Sequence, residues 1–333
     1  MRIGSGDATQ AAVAAARPTT RPARDLGIDR FRGVLVFLMV AGNYLGGVQA
    51  VPDLIKHTPD VGLSVADVVA PCFVLAIGLN YGPSFRRRAQ QSLGGAYRHF
   101  LFRYLSLIGI GAIISAGGTQ IAGEPSSWGV LQALGLAGLV CLPVVRLGPY
   151  LRLAVGLALL IVYQLIVDAW LLDSVLATVQ GGFVAGLSWG ALLILSTAFA
   201  DLWRRGWAAA IVCCAAFAVV GGLAALLVPV SKNRVSLSYI LVTLAIGAIV
   251  FLLTEVISRT LARRPGYLAW WGENPLALYL LHLLVLALVV LPGVPWWYEQ
   301  APLWLAALQL AGILTLMSFA AWWLHRRRVR IEL

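Results

Sequence analysis

Apolar runs with few or no charges recur along the chain at 33–52, 64–84, 104–123, 126–145, 149–167, 182–200, 207–230, 235–254, 274–292 and 301–324. Each is about the roughly 20 residues that a helix needs to cross the hydrocarbon of a bilayer. Lipid offers no partner to a free backbone N–H or C=O, so open sheets and loops are excluded at that depth and helices must dominate. The pattern therefore predicts an all-α, polytopic integral membrane protein with ten transmembrane helices. The segment at 149–167 is the least regular, because Arg152 falls in its first turn.

The polar gaps between these runs alternate in charge. One set carries Arg86, Arg87, Arg88 and Arg98, then Arg146, Arg204 and Arg205, then Arg259, Arg263 and Arg264, and both ends of the chain belong with it. The other set holds only Lys56, Lys232 and Arg234, against Asp53, Asp60, Glu124, Asp168, Asp173 and Glu299. Of 25 Lys and Arg residues, removing those three leaves 22 on one side. A missed or spurious helix would invert every later gap, so this regularity supports the ten-span layout. By the positive-inside rule both termini are cytoplasmic, and the loops around 53–62, 168–181 and 231–234 face outward.

Composition agrees. Hydrophobic residues make up 60% of the chain, charged residues 12%, and the mean hydropathy is +0.85, whereas a soluble domain is roughly one quarter charged. The net charge of +11 sits in short clusters between apolar runs rather than on one polar face. It reads as topology signal and not as a nucleic-acid surface. Cys72, Cys141, Cys213 and Cys214 all lie within apolar runs without the spacing of a metal site, and no metal is expected. Residues 1–29, rich in Ala, Arg and Thr, read as a flexible basic cytoplasmic tail, 30–325 as the membrane domain, and 326–333 as a second basic end.

Few polar groups lie at membrane depth, and these are where function is to be sought. Asn43 and Tyr44 close the first span; Asp53, Lys56, His57 and Asp60 follow in the loop; Ser64 and Asp67 open the second span. An imidazole can act as a general base or attack an acyl carbonyl itself. Asn43 could orient it or bond a developing oxyanion, if the loop folds back over the first helix. A carboxylate at Asp67, a turn inside a span, costs about 3 kcal/mol unless paired or wet. It needs a partner from Lys56, His57 or the backbone N–H groups of its own helix start. On the ninth span Asn274 and His282 lie eight residues apart, roughly 80° around a helix, and could share one wide polar face.

Several stretches resemble one known family. They are Ile28-Asp29-Arg30-Phe31-Arg32-Gly33, Asn43-Tyr44, Lys56-His57, Gly62-Leu63-Ser64-Val65-Ala66-Asp67 continuing to Ala70-Pro71, and Ile77-Gly78. Three later ones fit the same pattern: Trp128-Gly129-Val130-Leu131-Gln132, Pro229-Val230-Ser231-Lys232-Asn233, and Gly272-Glu273-Asn274-Pro275-Leu276. Together they are similar to the heparan-α-glucosaminide N-acetyltransferase family, in a bacterial-type form without the luminal domain. The resemblance implies a multi-pass acyltransferase that takes an acetyl group from cytosolic acetyl-CoA, or another acyl-CoA, to an amino sugar or other glycan beyond the membrane. It implies His57 as the catalytic histidine and Asn43 as its neighbour, with Asp67 the third catalytic candidate. Arg32, Arg86, Arg103 and Asn274 are the candidates for holding CoA. The expected setting is a plasma membrane and cell envelope, with lipid and a glycan acceptor as partners and a homodimer left open.

Two other classes fit parts of the same pattern. A proton-coupled transporter or lipid or glycan flippase would use Asp67, His57 and His282 as a proton relay, although no inverted repeat is visible. A non-catalytic scaffold of envelope assembly would keep the fold without the chemistry.

Overall fold

The computed structural model describes residues 25–122, 128–260 and 266–331. Arg2, Arg17, Arg21, Arg24, Glu124, Arg263 and Arg264 lie outside the described residues, as does nearly all of the basic tail expected at 1–29. The described chain is built from helices: α1 (Leu26–Leu45), α2 (Val65–Ala89), α3 (Leu93–Ala122), α4 (Val130–Cys141), α5 (Pro149–Ile166), a short α6 (Leu172–Leu176), α7 (Gly186–Arg205), α8 (Trp207–Ala225), α9 (Leu237–Thr260), α10 (Tyr267–Glu273), α11 (Pro275–Val290) and α12 (Leu303–Arg326).

A helix occupies each of the ten apolar segments. Among the described residues seven helices are long and apolar enough to cross a membrane, and eight when α10 and α11 count as one broken span. The two other elements of the ten-span layout are α1, which carries Asp29, Arg30 and Arg32 in its first turns, and α4, which is only 12 residues long. The ninth span is not continuous. Pro275 has no N–H to give to the preceding turn, Asn274 leaves helical geometry at φ −132°, ψ 59°, and the chain bends by 91° between α10 and α11.

Helix starts follow local chemistry. Asp25 caps α1, its Oδ1 accepting from Gly27 N at 3.0 Å and Ile28 N at 3.3 Å. Ser64 caps α2. Two apolar cores share α1: Ile28, Phe31 and Leu35 join a large core with α2 to α5 and α7 to α9, whereas Val36, Val40 and Tyr44 join a second core with α10 to α12. Helices α1 and α10 approach closely: a Cβ on Gly33 would stand 1.8 Å from Leu268 O and one on Gly272 1.7 Å from Asp29 O. Helix α7 is the central post, with 89% of its span buried. Large apolar side chains such as Ile113, Trp170, Leu226 and Leu227 lie exposed, as a lipid-facing surface requires.

Arg152, the irregularity of the fifth segment, is buried and held through two of its three guanidinium nitrogens. It ion-pairs with Asp201 and donates through Nε to Leu147 O at 3.0 Å; Arg86 meets the same carboxylate at 3.1 and 2.9 Å. Contacts between loops and between helix ends also respect the charge alternation. At the acidic end Gln49 N donates to Glu299 O at 2.8 Å and Gly62 N to Val230 O at 2.8 Å. At the basic end Arg86 meets Asp201, and Arg30 donates to Ser258 O at 3.4 Å.

Candidate active site

The loop between α1 and α2 is built around one carboxylate. Ser64 and Asp67 form a capping box: Asp67 N donates to Ser64 Oγ at 3.3 Å, and Asp67 Oδ2 accepts from Ser64 N at 3.1 Å. Such a box satisfies two otherwise free N–H groups at a helix start. Here the carboxylate reaches further. Its Oδ2 also accepts from Ser64 Oγ at 2.9 Å, Thr58 N at 3.2 Å and Thr58 Oγ1 at 2.9 Å. Its Oδ1 faces His57 Nδ1 at 2.7 Å and Lys232 Nζ at 3.5 Å.

The Asp67 side chain is fully buried, and these donors offset the desolvation that burial costs. A carboxylate only accepts, so His57 Nδ1 donates the 2.7 Å bond, and in the neutral ring the lone pair then sits on Nε2. The ring is 51% exposed, so Nε2 is open to a reactant. A carboxylate that fixes the tautomer and stabilises an imidazolium is what a catalytic histidine needs.

A second loop, 229–236 between α8 and α9, clamps the first. Arg234 meets Asp60 with both Nε and a terminal nitrogen, Nε at 3.1 Å from each oxygen, and Ser231 Oγ donates to Asp60 Oδ1 at 2.6 Å. The Arg234 bond holds the Asp60 carboxyl below the usual carboxylate range, and the same bond raises Arg234. Asn233 donates to Pro59 O. Beneath the loop, Tyr239 OH donates to the backbone carbonyl of Asp67 at 2.7 Å. Val235 sits in the left-handed region at φ 48°, a costly state for a β-branched residue; Ser188 Oγ holds its carbonyl at 2.7 Å. Burial lowers the pKa of the Lys232 ammonium, and its attraction to Asp67 opposes that shift.

Asn43, expected beside His57, bonds elsewhere: its Nδ2 donates to His282 Nε2 at 2.9 Å. His282, fully buried, turns Nδ1 to Tyr279 O, which fixes Nε2 as the acceptor. Asn274 and His282 meet different partners. Asn274 is buried at the α10–α11 break, where Nδ2 donates to Val329 O at 3.1 Å and Oδ1 accepts from Ile331 N at 2.9 Å.

The four CoA candidates stand in separate settings. Arg32 pairs with Asp29 at 3.5 Å, Arg86 with Asp201, and Asn274 with the chain's own end. Arg103 lines a cavity on α3 that neither Arg32 nor Arg86 lines. Lys232, Thr58 and Arg234 were not among the site residues expected from sequence. The available signal was that Lys232 and Arg234 are two of only three basic residues on the otherwise acidic side.

A family model described as "Heparan-alpha-glucosaminide N-acetyltransferase, catalytic" matches residues 24–188. The chain belongs to that family. The match contains Asn43, His57 and Asp67, while Lys232, Arg234 and His282 lie beyond it. The human heparan-alpha-glucosaminide N-acetyltransferase is 37% identical to this family member over 133 residues, which cover 36% of this chain and 19% of the human protein. The aligned part is thus about a fifth of that relative's length.

Proposed function

We propose that this protein is a membrane acyltransferase that carries an acetyl or other acyl group from acyl-CoA at its basic, cytoplasmic end to an acceptor at the opposite face. The observation that carries the reading is the His57–Asp67 pair: a 2.7 Å bond from Nδ1 to a fully buried carboxylate, with the ring half exposed. The name of the human relative supports an amino sugar or other glycan as acceptor. The membrane domain is 30–325, crossing ten times between two basic cytoplasmic ends, and the CoA phosphates meet the basic end that bears Arg32 and Arg86.

In the direct route His57 Nε2 takes a proton from the acceptor's amine or hydroxyl as that group attacks the thioester carbonyl. CoA leaves as thiolate and receives the proton back from the imidazolium. In the two-step route Nε2 itself attacks, CoA leaves as thiolate, and the acceptor then displaces the imidazole from the acyl-histidine, its proton going to the thiolate. Asp67 steadies the positive ring in both. The Lys232 ammonium adds positive charge beside the site, favourable to a developing oxyanion.

Proteoliposomes with labelled acetyl-CoA on one face and glucosamine on the other test the proposal. Labelled product with wild type and none with His57→Ala is expected; equal product from both would refute it. A short acid quench in the absence of acceptor separates the routes, since only the two-step route leaves label on the protein.

A further inference from the structure

The basic end of α3 carries a stripe that the transfer chemistry does not use. Gly95, Arg98, His99, Phe102, Arg103 and Ser106 line a cavity of about 350 Å³. Their steps of three, one, three, one and three residues place them on one helical face. No carboxylate lines the cavity. Two of its polar atoms, His99 Nε2 and Arg103 Nε, are buried within the side chains' surroundings and have no hydrogen-bond partner. A buried guanidinium N–H without an acceptor is costly, and a phosphate oxygen is the acceptor that a guanidinium fork matches best.

The same face continues toward the opposite end as a shallow apolar track. Phe102 is 61% and Ile113 75% exposed, and at Gly109 between them an added Cβ would meet nothing within 4 Å. The stripe therefore offers cations and a hydroxyl at the interface depth, followed by an open apolar path within the membrane. That order of chemistry, anion first and then hydrocarbon, is the order within a phospholipid.

We propose that this face of α3 binds an anionic phospholipid, its phosphate held between Arg98 and Arg103 with Ser106 and His99 as further bonding partners, and an acyl chain lying over Phe102, Gly109 and Ile113. The site is separate from the His57 loop and does not depend on the acyl-transfer reading. It assigns Arg103 to lipid rather than to CoA.

The test is lipid retention by the purified full chain in detergent, read by native mass spectrometry with phosphatidylglycerol or phosphatidylcholine added, beside calorimetry with acetyl-CoA. Wild type should retain phosphatidylglycerol in preference to phosphatidylcholine. Arg98→Gln with Arg103→Gln should weaken that retention about thirtyfold, roughly fivefold for each cation at an anionic surface, and leave acetyl-CoA affinity unchanged. Ser106→Phe, which fills the cavity and keeps both charges, should weaken it as well and serves if the double variant does not fold. Equal retention of both lipids, or undiminished phosphatidylglycerol binding by the variants, would overturn the proposal. Loss of acetyl-CoA affinity with lipid retention intact would overturn it too, and would return Arg103 to the donor site.

Discussion

At the scale of single residues, the proposed chemistry rests on Asp67 being a carboxylate. Asp67→Asn keeps the shape but offers an N–H₂ or a neutral oxygen to His57 Nδ1, so the ring loses its fixed tautomer and its counter-charge. A fall in kcat of roughly a thousandfold is expected, within the usual range for general acid–base catalysis, and His57→Ala should fall at least as far; steady-state kinetics on the two variants checks both. Lys232 supplies a pH test. Burial sets its pKa below that of an ordinary lysine, so as pH rises its ammonium is lost earlier than an exposed lysine's would be. Activity should therefore show an alkaline limb, and Lys232→Arg, whose guanidinium does not titrate, should remove that limb from the profile of kcat/KM. His57, Asn43 and Asp67 were legible in the sequence as rare polar groups between apolar runs. His57 was also among the partners offered for Asp67, but the partner of Asn43 was not legible: His282, 239 residues away, takes the amide, and no local pattern reports a contact of that separation.

At the scale of elements, the site exists because one loop is clamped on another. Asp60 and Arg234 tie loop 46–64 to loop 229–236. Asp60 titrates below its ordinary value, so its contribution to stability is fully present above the unfolded carboxylate pKa of about 3.9 and is lost as pH falls through the lower folded value. The clamp should hold through mild acid, and Arg234→Ala should lower kcat at neutral pH while the helical circular dichroism stays unchanged; full activity in that variant would show that the clamp does not position His57. Helix positions were legible because each apolar run holds a helix, although the one in the fourth run is only 12 residues long. The break at Asn274 was less so. Pro275 marks a helix start as readily as a kink, and at the 91° turn Asn274 bonds to Val329, a partner 55 residues away.

At the scale of the molecule, the alternation of charge and the contacts between loops give the same two ends. All four cysteines are buried, so single introduced cysteines report on sidedness without background. In intact cells a membrane-impermeant maleimide should label Asp53→Cys and spare Gln91→Cys; the reverse would invert the layout. Ten helical segments were legible from hydropathy, of which seven or eight are long and apolar enough to cross a membrane among the described residues; the burial of Arg152 against Asp201 was not, since a charge in the first turn of a span weakens the hydropathy signal whether or not a partner awaits it.

The central claim is a donor bound from one end and a histidine acting at the other. Calorimetry of acetyl-CoA against the detergent-purified protein, with free CoA and a nucleotide lacking the pantetheine arm as comparators, tests it most directly. Saturable binding of acetyl-CoA by wild type and by His57→Ala alike, with transfer confined to wild type, is expected. Absence of binding by protein that is demonstrably folded would contradict the claim.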